Sequence, residues 1–292
     1  MWRADLIQNN PELSALLSLL DDSDPAVTTA VQQRLLSYGH QIVPLLRQIV
    51  TSTPAYLPQS ANALACIRAL QTDALAQLVD SIVTSHLNAT DIQLEDALFL
   101  LSAFGYPEHN MLAWRQYLDS LASEVSRYAC ALPTSSEMGW LVALNIVLFE
   151  REQFRGAVRN YHSAQHTYFS SLLQTKEGIP ISLSCLYLLV AKRVGIELWG
   201  IGMPLHFIVY HPGLDVFIDP FNAGTLISQQ ECKRFIEQAG FSFSDSMLAR
   251  RTNLEIILRT MRNLIYAHTR SGDKWEAETL SDALDTIVHI VG

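Results

Sequence analysis

Cys185, His206 and Asp219 supply, in that chain order, the thiol, imidazole and carboxylate of a nucleophilic triad. In such a triad the imidazole takes the thiol proton, and the carboxylate fixes the tautomer and stabilises the imidazolium. Ser182, three residues before Cys185, is the alternative hydroxyl nucleophile. His162 and His166 stand four apart, the spacing of two metal ligands on one helical face, but no matched glutamate accompanies them as it would in HExxH. The expectation is therefore no metal, with both histidines lining the mouth of the His206 cleft. Paired carboxylates for glycoside chemistry and a glycine-rich phosphate cradle are missing, and no cofactor is expected.

Two kinds of element must position these groups. Residues 206–211 and 215–219 are β-branched and aromatic runs on either side of Pro212-Gly213, so they predict a hairpin. With Pro212 and Gly213 as the loop, His211 faces Leu214 and His206 lies directly opposite Asp219 on one face. An L-proline cannot enter the primed turns that two-residue loops prefer; a longer symmetric loop keeps the pairing. Before the hairpin, Gly178-Ile179-Pro180 predicts a helix start with Pro180 at the first helical position. That helix should run to about Val194 and stop at Gly195. Its apolar residues go all round, which implies burial on every side. Cys185 falls five residues past Pro180, beyond the first turn where the helix N-terminus favours a thiolate, so it reads better as an inert buried cysteine. A serine at the place of Ser182 more often simply bonds backbone N–H groups of the first turn. After the hairpin, Phe221-Asn222-Ala223-Gly224 turns the chain and brings Asn222 to the cleft.

From about Asp91 onward the chain resembles the bacterial SirB-type invasion-regulator family, a branch of the transglutaminase-like superfamily. The matching pieces are Leu144-Asn145 with Phe149 and Phe154, then GIPISLSCLYLLVAKRVGI, then PLHFIV, then FIDPFNAG. The resemblance implies a cysteine at the N-terminus of a buried helix, meeting a histidine and an aspartate from two adjacent strands. His206 and Asp219 match the last two positions. Active members carry Gly-x-Cys at the helix start, where this chain has Gly178-Ile179-Pro180. Leu205 stands where the family usually has glycine before the histidine, and Ala223 where it often has a second glycine. The C-terminal end resembles a tetratricopeptide-like pair.

The whole chain sets the frame. Of its 292 residues 49% are hydrophobic and 17% charged, the balance of a well-buried folded protein. A net charge of −9 argues against nucleic acid or an anionic membrane as partner. No apolar run reaches membrane-spanning length and residues 1–10 lack a signal-peptide core, so the expected location is cytoplasmic. Cys66, Cys130, Cys185 and Cys232 are scattered without CxxC spacing, as expected of reduced thiols.

The fold class predicted is α+β, in three parts. Residues 1–88 form a HEAT-like helical segment, built from one unit around Pro25 and a shorter helix pair at 60–70 and 73–83. Residues 89–250, with a core at about 140–240, form a SirB-type transglutaminase-like domain whose buried central helix packs on a small antiparallel sheet. Residues 251–292 form a helix pair split by Ser271-Gly272-Asp273. A helix with Cys232 inside it is expected at 228–239, and a loop starting a helix near Ser135. Two functions fit. One is a non-catalytic module that binds a protein or peptide in its cleft and acts in regulation. The other is a cysteine-dependent acyl-transfer or peptidase-like enzyme using Cys185, His206 and Asp219. Oligomeric state is left open.

Overall fold

The computed structural model describes residues 10–131 and 136–292. They fall into two compact units: Met1–Leu78 with Ser102–Asn110, and Val79–Leu101 with Met111–Gly292. Ser135, the expected cap, lies outside the described residues, and its neighbour Ser136 accepts from the Gly139 N–H at 3.1 Å.

The first unit begins with α1 (Pro11–Ser18), α2 (Pro25–Leu36) and α3 (Val43–Ser52). Asn10 and Asp24 cap the first two through side-chain oxygens, each followed by a proline whose missing N–H needs no partner there. Leu20, Leu35, Val43 and Leu46 are wholly buried in its core, with Cys66 from the next helix. The expected helix pair at 60–70 and 73–83 is instead one continuous helix, α4 (Pro58–Leu87). Only Gln71 and Thr72 separate the two predicted segments, and neither breaks a helix as Gly or Pro would. The Gln71 side chain donates to the Phe104 carbonyl at 2.6 Å.

The helix α5 (Leu94–Gly105) belongs to the second unit up to Leu101, and α6 (Met111–Ala131) and α7 (Glu137–Asn145) of that unit precede a π-helical stretch, Ile146–Arg151. Short strands β1 (Arg155–Gly156) and β2 (Glu177–Gly178) pair in parallel on either side of α8 (Phe169–Thr175). The central helix is α9 (Pro180–Arg193), with Pro180 at its start and nearly every side chain buried as far as Ala191. Gly195, at φ +78°, follows its C-cap. Next comes an antiparallel sheet, β3 (Trp199–Met203), β4 (His206–His211), β5 (Val216–Asp219) and β6 (Thr225–Ile227), in sequence order. It is followed by α10 (Gln229–Gln238), opened by a capping box from Ser228 and Glu231. The chain ends in the antiparallel helix pair α11 (Asn253–Ser271) and α12 (Lys274–Val291), divided at Gly272 (φ +83°).

The sheet sorts its side chains by alternation. Ile201, Met203, Ile208 and Phe217 face Cys232 and Ile236 of α10 in one apolar cluster. Phe207 turns to the other side, where it closes on the Gly200 backbone together with Ile256 of α11.

Candidate functional site

The hairpin register differs from the expected one. His211 pairs with Val216 rather than facing Leu214, and Tyr210 pairs with Phe217. The loop is wider than two residues and spans 212–215. Asp215 adopts φ +54° there, and the Leu214 N–H donates to His211 Nδ1 at 3.2 Å. The slip amounts to two residues, and an even slip keeps every side chain on its face. His206 and Asp219 are therefore diagonal rather than opposite, and still bonded: His206 Nε2 lies 2.9 Å from Asp219 Oδ2. Both side chains are close to sealed, at 10% and 8% exposure.

Asp219 is held from three sides. Besides His206, it accepts from the Asn222 amide at 2.8 Å and from the Phe221 N–H at 3.1 Å. Burial alone would push its carboxyl up; the bonds and charge from His206 and the bonds from Asn222 outweigh this and hold it below the ordinary carboxylate range. A carboxylate only accepts, so His206 Nε2 carries the proton, and Nδ1 has no partner among the described residues. Around the imidazole stand the rings of Phe235 at 5.3 Å and Phe221 at 6.1 Å. The Phe221 ring in turn fits against the bare backbone of Gly156, where a Cβ would come within 2.6 Å of it. Asn222 thus serves the carboxylate instead of standing free in a cleft.

No thiol joins this pair. Cys185 is fully buried on α9, and desolvation pushes its pKa up to about 12. Cys232, on the same sheet face as His206, is also fully buried, with its pKa raised to about 12 by burial and by Glu231 and Asp219. Among the described residues neither sulfur is hydrogen-bonded to His206. The Ser182 hydroxyl does not cap N–H groups; it is directed at the carbonyls of His166 (2.8 Å) and Ile179 (3.0 Å).

A cavity of about 290 Å³ opens beside the hairpin, lined by Pro180, Leu205, His206, Arg259, Asn263 and Tyr266 among others. His162 lines it, its ring 5.4 Å from that of Tyr266. His166 does not: it is buried at 6% exposure in a short 3₁₀ turn, and its Nδ1 lacks a partner. The described residues hold no cluster of His, Cys, Asp and Glu fit for a metal ion.

Sequence reasoning missed two groups. Asn145 clamps the turn after β5: its amide donates to the Gly224 carbonyl at 3.0 Å, and its oxygen accepts from the Tyr187 hydroxyl at 3.0 Å. A Cβ on Gly224 would meet that oxygen at 2.0 Å, which explains the glycine. The second group, Arg259, Asn263 and Tyr266, repeats at i, i+4 and i+7 along α11, a stripe that was readable as one face.

A buried helix preceding an antiparallel sheet with a His–Asp pair on adjacent strands is the arrangement of a transglutaminase-like domain. The chain belongs to that superfamily: the family model described as "Transglutaminase-like superfamily" matches residues 112–262. It is 26% identical over 245 residues to a UPF0162 protein of Xylella fastidiosa, covering 80% of this chain and 73% of that one. It is also 33% identical over 156 residues to F-box only protein 21 of Mus musculus, covering 50% of this chain and 24% of that one. The human F-box only protein 21 is 30% identical over 177 residues, again spanning only 28% of its length. No solved structure matches the chain. No helix among the described residues is long and apolar enough to cross a membrane.

Proposed function

We propose that this protein is a non-catalytic member of its superfamily, a regulatory module of the SirB type that binds a protein or peptide partner in the cleft beside His206. The observation that carries this reading is Pro180. It is the first residue of α9, at the place where active members present their cysteine, and it lines the cavity together with His206. A proline there has neither a nucleophilic atom nor an N–H to donate. The nearest thiol in sequence, Cys185, is sealed in the core and held protonated, whereas a nucleophile needs its base within hydrogen-bond reach. The His206–Asp219 pair then serves as structure, tying the ends of two strands and the turn that follows. The helices of the first unit, one HEAT-like hairpin and a long helix, supply a second surface for a partner.

The competing reading, a cysteine-dependent acyltransferase or peptidase using Cys185, His206 and Asp219, predicts a covalent intermediate. Bait protein in cell lysate, as wild type, Cys185→Ala and His206→Ala, separates the two. A non-catalytic module retains the same partners without any covalent adduct in all three. An adduct on wild type that both substitutions abolish would establish the enzyme instead.

A further inference from the structure

We infer that the cavity beside His206 takes the C-terminal residue of a peptide, its free α-carboxylate on Arg259 and its apolar side chain against Ile179, Ile181 and Phe207. This deepens the reading of the cleft as a binding site and rests on it.

Arg259 carries the argument. Its Nη2 donates to the carbonyls of Met203 at 2.9 Å and His206 at 2.8 Å, which pins the guanidinium to the tip of the β3–β4 hairpin. Among the described residues its remaining N–H groups, on Nε and Nη1, have no acceptor, and no carboxylate pairs with it. Burial and the neighbouring Arg251 guanidinium both push its pKa down, the direction expected of an uncompensated cation away from water. Arginine keeps its charge nonetheless. The Phe207 ring lies 5.5 Å from its Cζ, but a ring face and two carbonyls leave the charge without an anion, and a pinned cation in a partly buried wall gains from one. The other large cavity of this unit, about 280 Å³, offers no such cation from its two arginines: Arg251 has Glu255 at 3.2 Å and Arg250 has Glu197 at 4.0 Å.

Two more polar groups wait in the same cavity. Among the described residues the half-buried Asn263 amide and the Tyr161 hydroxyl make no hydrogen bond, while Ile179, Pro180, Ile181 and Phe207 supply apolar wall. A few unsatisfied polar groups converging in an apolar pocket are the usual pattern of ligand recognition. The guanidinium fork suits a carboxylate, which it can grip through two N–H groups at once. A space of about 290 Å³ admits one residue and its backbone rather than a folded element. In a C-terminal residue the charge and the apolar side chain branch from one Cα, so each can reach its own wall. An Asp or Glu side chain carries its charge at the tip and leaves the isoleucines uncovered.

The test uses the ¹⁵N-labelled full chain and three probes: N-acetyl-Ala-Phe as the free acid, the same dipeptide as its amide, and N-acetyl-Glu-Phe amide. We expect the free acid to move the Arg259 Nε–H resonance and to bind at least about tenfold tighter than its amide, the effect of one charge-assisted hydrogen bond. Arg259→Gln should erase that preference. Tyr266→Ala, at an exposed ring, should weaken binding of acid and amide together. Because Arg259 also braces the hairpin, the acid–amide comparison on wild type stands even if Arg259→Gln fails to fold. Equal binding of acid and amide would overturn the inference while leaving the cleft a peptide site. Binding of the glutamate peptide as tight as that of the free acid would overturn it in favour of a side-chain carboxylate. No shift with any probe at millimolar concentration would overturn it too, leaving the cleft reading to the lysate experiment.

Discussion

At the scale of single residues, Asp219 shows how a buried charge is kept. Its burial opposes ionisation, and the donors from His206, Asn222 and the Phe221 backbone overcome that opposition. A carboxyl whose folded pKa is depressed contributes stability above the ordinary aspartate value of about 3.9 and loses it as pH falls through the lower folded value. Asp219→Asn should therefore cost about 1–3 kcal/mol at neutral pH, the worth of hydrogen bonds to a charged group. That deficit should shrink in acid; urea unfolding of both proteins at neutral and strongly acidic pH measures it, and a constant deficit would refute an ionised Asp219. His206 and Asp219 were legible because their strands alternate regularly and an even slip leaves the face unchanged. Arg259 was not: its role comes from a hairpin carbonyl pair more than fifty residues earlier in the chain.

At the scale of elements, the turns explain where glycine is wanted. Met203 pairs with His206, so the β3–β4 loop is Pro204-Leu205, and Leu205 sits at φ +59° with 70% of its surface exposed. Ala223 stands at φ +56°. These are the two positions where the resembled family favours glycine, and both require the left-handed backbone that a Cβ penalises by about 1–2 kcal/mol. Glycine's greater loss of chain freedom takes back about 0.5–1 kcal/mol. Leu205→Gly should thus stabilise the protein by up to about 1 kcal/mol, read as a higher urea midpoint; a lower midpoint would mean that the leucine side chain packs usefully. Gly224→Ala should do the opposite. Its Cβ would fall 2.0 Å from Asn145 Oδ1 on a backbone at φ +72°, so a loss of about 2 kcal/mol or more is expected in the same assay. Helix ends were legible wherever local chemistry marks them, at Pro180, Gly195, Ser228 and Gly272. The hairpin register was not, because a leading proline does not fix loop length: Pro204 opens a two-residue loop and Pro212 a four-residue one. The continuity of α4 was missed because a short polar pair looked like a break and contains no residue that makes one.

At the scale of the whole molecule, the two units draw on the chain discontinuously. Ser102–Asn110 belongs with Met1–Leu78, and the Gln71 side chain finds its acceptor at Phe104. A fragment of residues 1–88 lacks that segment and leaves a buried amide unpaired, a penalty of about 1–3 kcal/mol before any lost apolar cover. Such a fragment should show no cooperative thermal transition by circular dichroism; a sharp melt would show that Ser102–Asn110 is dispensable. The unit limits at Leu78 and Ser102 fall inside α4 and α5, where no local signal in the sequence marks them.

The central claim, that this transglutaminase-like fold keeps its His–Asp pair without an activated nucleophile, is tested most directly by the thiols themselves. The chain carries one exposed cysteine, Cys130, and three buried ones, Cys66, Cys185 and Cys232, whose pKa values burial lifts to about 11, 12 and 12. Brief treatment of the native protein with iodoacetamide at neutral pH, followed by peptide mass spectrometry, ranks all four in one sample. Label should appear on Cys130 and stay off Cys185 until the protein is unfolded. Modification of Cys185 as fast as that of Cys130, slowed by His206→Ala, would mean that the imidazole activates a thiol after all.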